Sequence, residues 1–324
     1  MAPHRPLTQD FPMPDACHFT NGLSRLMLGT AQWGQPYGVA NRTGQPSYGT
    51  VVEMLEVALA GGVNACDTAA AYGTSEEVLG QAIRERGWQQ HLTVVTKVQP
   101  LSPAELADPA LGRAAVERSV ERSLRRLSLA RPPLVLFHRE CDAVFLDVLI
   151  PWVERGSLAG LGVSCDHAPG PPRAFAADPR IRALQVPANL LDYRHRRGGT
   201  FQAAADHGVA LWVRSVYLQG LLQMPEQQVP PALAAVVPLR HALQQLASDA
   251  GVTLGELAFR YLLAQPEVTS LVIGVETVAQ VRDNLRLVAR GPLSADTCAA
   301  IEALDLTPPE TLITPRLWPP VATV

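Results

Sequence analysis

At 324 residues, 47% hydrophobic and 18% charged, the chain can bury one large α/β core or two smaller ones. A formal net charge of −3 leaves no electrostatic footprint for nucleic acid or for an anionic membrane surface. Cys17, Cys66, Cys141, Cys165 and Cys298 make no C-x-x-C pair and no metal-ligand spacing, so reduced thiols and no metal are expected. No apolar run reaches transmembrane length, and the opening Met-Ala-Pro-His-Arg-Pro lacks a signal-peptide core, so a cytoplasmic protein is expected.

Residues 1–22, rich in Pro and polar side chains, read as a flexible N-terminal arm, and the Pro-rich stretch 308–324 reads as a loose C-terminal tail. Across 23–307, short apolar runs alternate with amphipathic stretches. Strands are expected at 25–29, 63–67, 92–97, 133–138, 158–164, 182–187, 209–215 and 269–274. Helices are expected at 48–60, 75–86, 112–127, 143–155, 168–177, 200–207, 234–264 with a break at Gly251, and 276–289. Within 113–127, Ala114, Val116, Val120, Leu124 and Leu127 recur at helical spacing between Glu and Arg positions. Eight strand–helix units with no linker between halves point to an α/β fold, a single-domain (β/α)8 TIM barrel. The rival is a doubly wound sheet. It should carry G-x-G-x-x-G after its first strand, and Leu28-Gly-Thr-Ala-Gln-Trp-Gly34 does not match that pattern.

Chemistry gathers at the strand ends. Val63 to Cys66 is an apolar run that stops at Asp67, and Tyr72-Gly73 follows on the next loop. Thr74 or Ser75 can cap a helix that has Glu76 and Glu77 in its first turn. Lys97 and His138 sit at the tips of two later strands. Any one of them could be mere packing, but in a barrel all four open on the same face. A phenol has a reference pKa near 10. A nearby ammonium is expected to lower that value, and Asp67 paired with Lys97 would hold the lysine in place. His138 can hydrogen-bond a carbonyl oxygen. Such a set protonates an oxygen on which charge develops, and it needs a hydride carrier to reduce a carbonyl.

The stretches Leu28-Gly-Thr-Ala-Gln-Trp-Gly34, Asp67-Thr-Ala-x-x-Tyr-Gly-x-Ser-Glu76, Thr96-Lys97, Phe137-His138, Gly160-Leu-Gly-Val-Ser164, Gln185-Val-Pro-Ala-Asn189, Gln219-Gly-Leu221 and Ile273-Gly274 resemble the aldo-keto reductase family, in its order and at similar spacing. The resemblance implies a barrel that binds NADP or NAD in extended form and acts on a small-molecule carbonyl substrate. It implies Tyr72 as general acid, Lys97 and Asp67 as its tuning pair, and His138 as the substrate-orienting residue.

For the cofactor, the resemblance implies Gly29 and Thr30, with Ser164 and Gln185 on the nicotinamide carboxamide and Cys165 where an Asn is usual. Arg214 stands where many members stack a Tyr on the ring, and a guanidinium can stack or reach a phosphate. Ser215, Gln219 and Gly220 fall at the pyrophosphate, and Gly274, Gln280 and Asn284 at the adenosine half. Glu276 falls where another branch places Arg, which points to use of NAD.

Trp33 is expected as a substrate-pocket wall. Tyr193-Arg-His-Arg-Arg197 is either a solvated loop or a recognition element for an anionic group. Two alternatives remain beside the reductase. One is a non-catalytic cofactor-binding barrel serving as a sensor or regulatory subunit. The other is a metal-dependent isomerase or hydrolase, for which one convergent acid and one His are too few ligands.

Overall fold

A computed structural model describes residues 22–319, so the expected arm, Gly22 apart, and residues 320–324 lie outside the described residues. Eight strands form a closed parallel barrel in chain order: β1 Leu26–Gly29, β2 Ala65–Asp67, β3 Thr93–Val98, β4 Leu134–Phe137, β5 Gly160–Ser164, β6 Ile181–Pro187, β7 Ala210–Arg214 and β8 Ser270–Gly274. Closure comes where Gly29 of β1 pairs with Gly274 of β8. Each strand falls where one is expected, β3 running one residue past its expected end and β6 starting one residue early.

Strand side chains alternate between two faces, and this alternation builds the site. Met27, Ala65, Val95, Leu134, Leu136, Ala183, Ala210, Trp212 and Val272 pack together as the barrel's own filling. Their neighbours Leu28, Cys66, Val94, Val135, Leu184, Leu211 and Leu271 face the helices and join the larger core. Continuing the inward parity to the C-terminal ends gives Gly29, Asp67, Lys97, His138, Ser164, Gln185, Arg214 and Gly274. The apolar filling is thus capped by a polar layer to which every strand contributes a position.

The helices follow their capping signals. Helix α1 (Tyr48–Ala60) starts at Ser47, whose hydroxyl accepts from Thr50 N, and α2 (Ser75–Arg86) ends at Gly87 with φ +71. Helix α3 (Pro109–Leu127) begins three residues before its expected start, because Asp108 accepts from Ala110 N and Leu111 N ahead of a helix-starting Pro. The helix expected at 143–155 is broken. A 3₁₀ run Glu140–Leu149 kinks at Phe145, and only the short α4 (Ile150–Glu154), with Pro151 in its first turn, is α-helical.

Next come α5 (Gly170–Ala176) and α6 (Thr200–Asp206), and then α7 (Val236–Asp249) and α8 (Leu254–Leu263), separated at Gly251 with φ +67. Helix α9 (Val278–Arg290) opens with a capping box between Thr277 and Gln280. A further helix, α10 (Ala295–Ala303), was not expected.

The described part of the tail is docked rather than loose. Leu312, Ile313 and Thr314 are buried. The basic run after Tyr193 holds this C-terminal segment: Arg196 pairs with Glu302 at 2.6 Å, Arg197 with Asp305 at 2.9 Å and Arg194 with Glu310 at 3.5 Å. Those arginines are engaged with carboxylates of the chain itself.

Candidate active site

The loop carrying Tyr72 is fixed by a backbone crossing. A Cβ on Gly34 would lie 1.8 Å from Tyr72 O, and one on Gly73 would lie 2.2 Å from Gly34 O. Gly73 also has φ +56, so only glycine satisfies both demands there. Below the crossing, Ser75 Oγ donates to Thr30 O at 2.8 Å and accepts from Thr68 Oγ1 at 3.0 Å. Glu76 is buried and accepts from Thr96 Oγ1 at 2.6 Å, with Arg126 at 3.5 Å. The Ser-Glu pair of the motif therefore anchors α2 to β3 beside Lys97. It stays behind the reacting face.

Lys97 is 0% exposed, and Nζ donates to both Asp67 oxygens at 2.7 Å and to Thr68 O at 3.0 Å. Gln185 Nε2 donates to Asp67 Oδ1 at 2.8 Å. Lys97 Nζ lies 5.0 Å from the Tyr72 ring centroid, and the His138 ring meets Tyr72 edge-on with centroids 5.6 Å apart. The structure brings Asp67, Tyr72, Lys97 and His138 into one cluster.

One electrostatic expectation is corrected. Burial and the Asp67 carboxylate push the Tyr72 phenol above its ordinary pKa, and the opposing pull comes from Arg214. Lys97 gives both of its short bonds to Asp67, so the phenol faces an ion pair rather than a free ammonium. Burial pulls the Lys97 ammonium below its usual range, against the pull of Asp67. Burial, Lys97 and Arg214 together lower His138 from 6.5 to about 3, so its imidazole is neutral. His138 Nδ1 is buried with no hydrogen-bond partner among the described residues.

A cavity of about 350 Å³ opens above this cluster, and its walls include Gly29, Thr30, Asp67, Tyr72, Gln185, Arg214, Ser215, Gln219, Gly220, Gly274, Glu276 and Gln280. Lys97 stands behind Asp67 and Tyr72, and Ser164 is buried at the end of β5, in register with Gln185. Asn284 does not line the wall. It is 6% exposed and accepts from Tyr217 OH at 3.2 Å, one layer behind the cavity. Trp33, expected as a pocket wall, is fully buried, with Nε1 donating to Val275 O at 3.1 Å.

Several wall residues have no counterpart among the expected site residues, Gln32 and Tyr37 among them. Gln32 packs over Gly274, where a Cβ would lie 2.6 Å from Gln32 Nε2, and its Oε1 is buried without a partner among the described residues. Tyr37 OH accepts from Gln219 Nε2 at 3.4 Å, and Ala40 N donates to Gln219 O at 3.3 Å, so the loops after β1 and β7 clasp across the cavity. Gln32 could have been found, since it lies inside the Leu28–Gly34 stretch. Tyr37 sits in an aperiodic loop that carries no such signal.

These residues fit an extended nicotinamide dinucleotide. Glycines line the wall where a backbone must approach closely, amides and hydroxyls supply donors, and Gln32 Oε1 is left unsatisfied. Ser215, Leu218 and Gln219 all hold left-handed backbone (φ 64, 50 and 54), a concentration of strain typical of ligand clamps.

Fold and site together define a (β/α)8-barrel protein with Asp67, Tyr72, Lys97 and His138 clustered at the C-terminal mouth. The chain belongs to the aldo/keto reductase family, whose model matches residues 25–306. It is 26% identical to a probable voltage-gated potassium channel subunit beta of Arabidopsis thaliana, covering 72% of this chain and 80% of that protein. It is 24% identical to the uncharacterized oxidoreductase YqkF of Bacillus subtilis, over 78% of this chain and 86% of the relative. An aldo-keto reductase from Bacillus halodurans, solved in holo form, has the same fold: TM-score 0.72, 23% identity, 90% of this chain and 95% of that one.

Proposed function

We propose that the protein is an NAD(P)-dependent oxidoreductase that reduces an aldehyde or ketone to the alcohol, or runs the reverse, with Tyr72 as general acid. The observation that carries this reading is the Asp67–Lys97 pair set 5.0 Å from the Tyr72 ring, with a neutral His138 at the ring's edge. A bound nicotinamide would supply the hydride. Tyr72, held in its protonated form, gives up its proton as negative charge builds on the carbonyl oxygen. Arg214 then stabilises the phenolate left behind, while Lys97 neutralises the Asp67 carboxylate beside it. His138, uncharged, orients the carbonyl oxygen without competing as an acid.

Gly29, Thr30 and Gly274 would cradle the dinucleotide, with Ser215, Gln219 and Gly220 at its pyrophosphate and Ser164 with Gln185 at its carboxamide. Toward the adenosine end, Glu276 lines the cavity, while Gln280 Oε1 is committed to the helix cap through Glu276 N at 2.7 Å. Asn284 would act there through Tyr217. A carboxylate repels a 2′-phosphate and accepts from a free 2′-OH, which supports NAD over NADP.

The relatives named as potassium channel subunits favour a second reading, a non-catalytic cofactor-binding barrel. The convergence of all four reacting groups weighs against it. The Tyr72→Phe variant tests the choice. It should bind cofactor as the wild type does and lose about 10²–10⁴-fold in turnover. Undiminished turnover would overturn Tyr72 as the acid. A wild type that binds cofactor but turns over none of a broad aldehyde panel would favour the sensor.

A further inference from the structure

Arg214 ends β7 on the inward face of the barrel mouth, where Nη2 donates to Cys165 O at 2.9 Å and Nη1 lies 3.4 Å from Ser215 Oγ. Among the described residues its hydrogen bonds go to a carbonyl and a hydroxyl, not to a carboxylate. The acid at the reacting centre, Asp67, already has both oxygens on Lys97 at 2.7 Å. Glu140, on the loop after β4, accepts from Asp166 N at 3.0 Å. Glu276, the other carboxylate in the cavity wall, sits beyond β8, where it accepts a hydrogen bond from Thr43. Among the described residues the guanidinium therefore makes no ion pair, although its field also reaches the Glu140 carboxylate. Its field is felt at Tyr72, Lys97, His138 and Tyr37.

A hydride donor serving a carbonyl on Tyr72 must bring its reacting carbon to within about 3–3.5 Å of the carbonyl carbon. The donor ring then lies inside the same field. A reduced nicotinamide ring is neutral, and an oxidised one carries a positive charge. We infer that Arg214 makes the site discriminate between the two oxidation states of its dinucleotide, holding the reduced form more tightly than the oxidised one. This rests on the dinucleotide-dependent reading above.

The step balances without a further reactant. The carbonyl carbon receives the hydride with its electron pair, the C=O π pair moves onto oxygen, and that oxygen takes the proton of Tyr72. What remains is an oxidised dinucleotide whose cationic ring Arg214 repels, which favours its release. Two unit charges several Å apart in a partly solvated cavity repel by enough for a difference of about tenfold to hundredfold in affinity.

The test is isothermal titration of the full chain with NADH and NAD⁺, and with NADPH and NADP⁺, in wild type, Arg214→Gln and Arg214→Lys. The ratio of oxidised to reduced Kd should fall about tenfold in Arg214→Gln and persist in Arg214→Lys, which keeps the charge. The lysine variant also guards against misfolding, because collapse of the ratio there would overturn the inference. A guanidinium that only anchors the pyrophosphate, or only a substrate carboxylate, would leave the ratio unmoved in Arg214→Gln, and that result overturns the inference alone. Failure of the wild type to bind either oxidation state of either dinucleotide would overturn the dinucleotide reading itself, and this inference with it.

Discussion

The Asp67–Lys97 pair gives the sharpest separation between stability and chemistry. Lys97 is 0% exposed and Asp67 is 3% exposed, and both carboxylate oxygens lie 2.7 Å from Nζ. In Lys97→Met, Asp67 would keep only the Gln185 amide among its side-chain donors. Stripping one partner from a buried pair costs about 3–5 kcal/mol, because the other charge stays buried without compensation. Asp67→Asn should cost a similar amount by stranding the ammonium. The double variant removes both charges, and replacing a buried pair by neutral groups is often close to neutral. A coupling energy of about 3 kcal/mol or more should therefore appear in the cycle, with each single variant losing about 4–7 °C in Tm. Turnover follows a different rule. All three variants lose the ammonium or its placement beside Tyr72, so the double variant should be stable and inactive. Urea unfolding and thermal melts, paired with an aldehyde-reduction assay, read the two quantities separately. Additive destabilisation in the double variant would refute the buried-pair argument, and recovered turnover would refute the role of Lys97.

Two further outcomes follow from the buried charges. His138 and His195 titrate in the fold at about 3 and about 4, against 6.5 when free, so the unfolded chain binds more protons and stability falls as pH drops from about 6.5. At pH 5 the fully buried His195 should account for about 2 kcal/mol, and the partly exposed His138 for less. His195→Gln should flatten the denaturation midpoint between pH 7 and 4, and an unchanged slope would contradict the assignment. Glu276→Arg should shift the kcat/KM ratio with NADH and NADPH toward NADPH by at least tenfold, and a ratio that does not move would remove Glu276 from cofactor choice.

Why some of this was legible from sequence and some was not comes down to periodicity. Each strand shows its inward face by alternation, so Asp67, Lys97, His138, Gln185 and Arg214 could be placed on one layer before any coordinates. The apolar filling below them, from Met27 to Val272, carries the same parity. The pKa of Tyr72 could not be read the same way. Sequence places a lysine near the phenol, but its direction depends on which neighbour takes the lysine's bonds, and Asp67 takes both short ones. Trp33 was lost for a related reason: its indole bonds Val275 O, a partner distant in sequence.

The C-terminal segment shows the same limit at longer range. A Pro-rich composition reads as loose because local propensity is all that such a stretch displays. Its docking comes instead from Leu312 and Ile313 entering the core, and from Glu302, Asp305 and Glu310 meeting Arg196, Arg197 and Arg194. Complementarity between charges 108 positions apart, as in Arg197 and Asp305, leaves no periodic trace. The docked segment supplies Leu306, Thr307, Pro308, Glu310, Ile313 and Arg316 to a second cavity of about 700 Å³, shared with Glu140, Asp166 and His167 from the loops after β4 and β5. Parity thus governs the strand-end groups Asp67, Lys97, Gln185 and Arg214, whereas aperiodic loops and distant charge pairs shape the space around them. The barrel and the polar groups at its mouth are for that reason the readable part of this chain, and the shape of the surrounding cavity belongs to the part that only folding assembles.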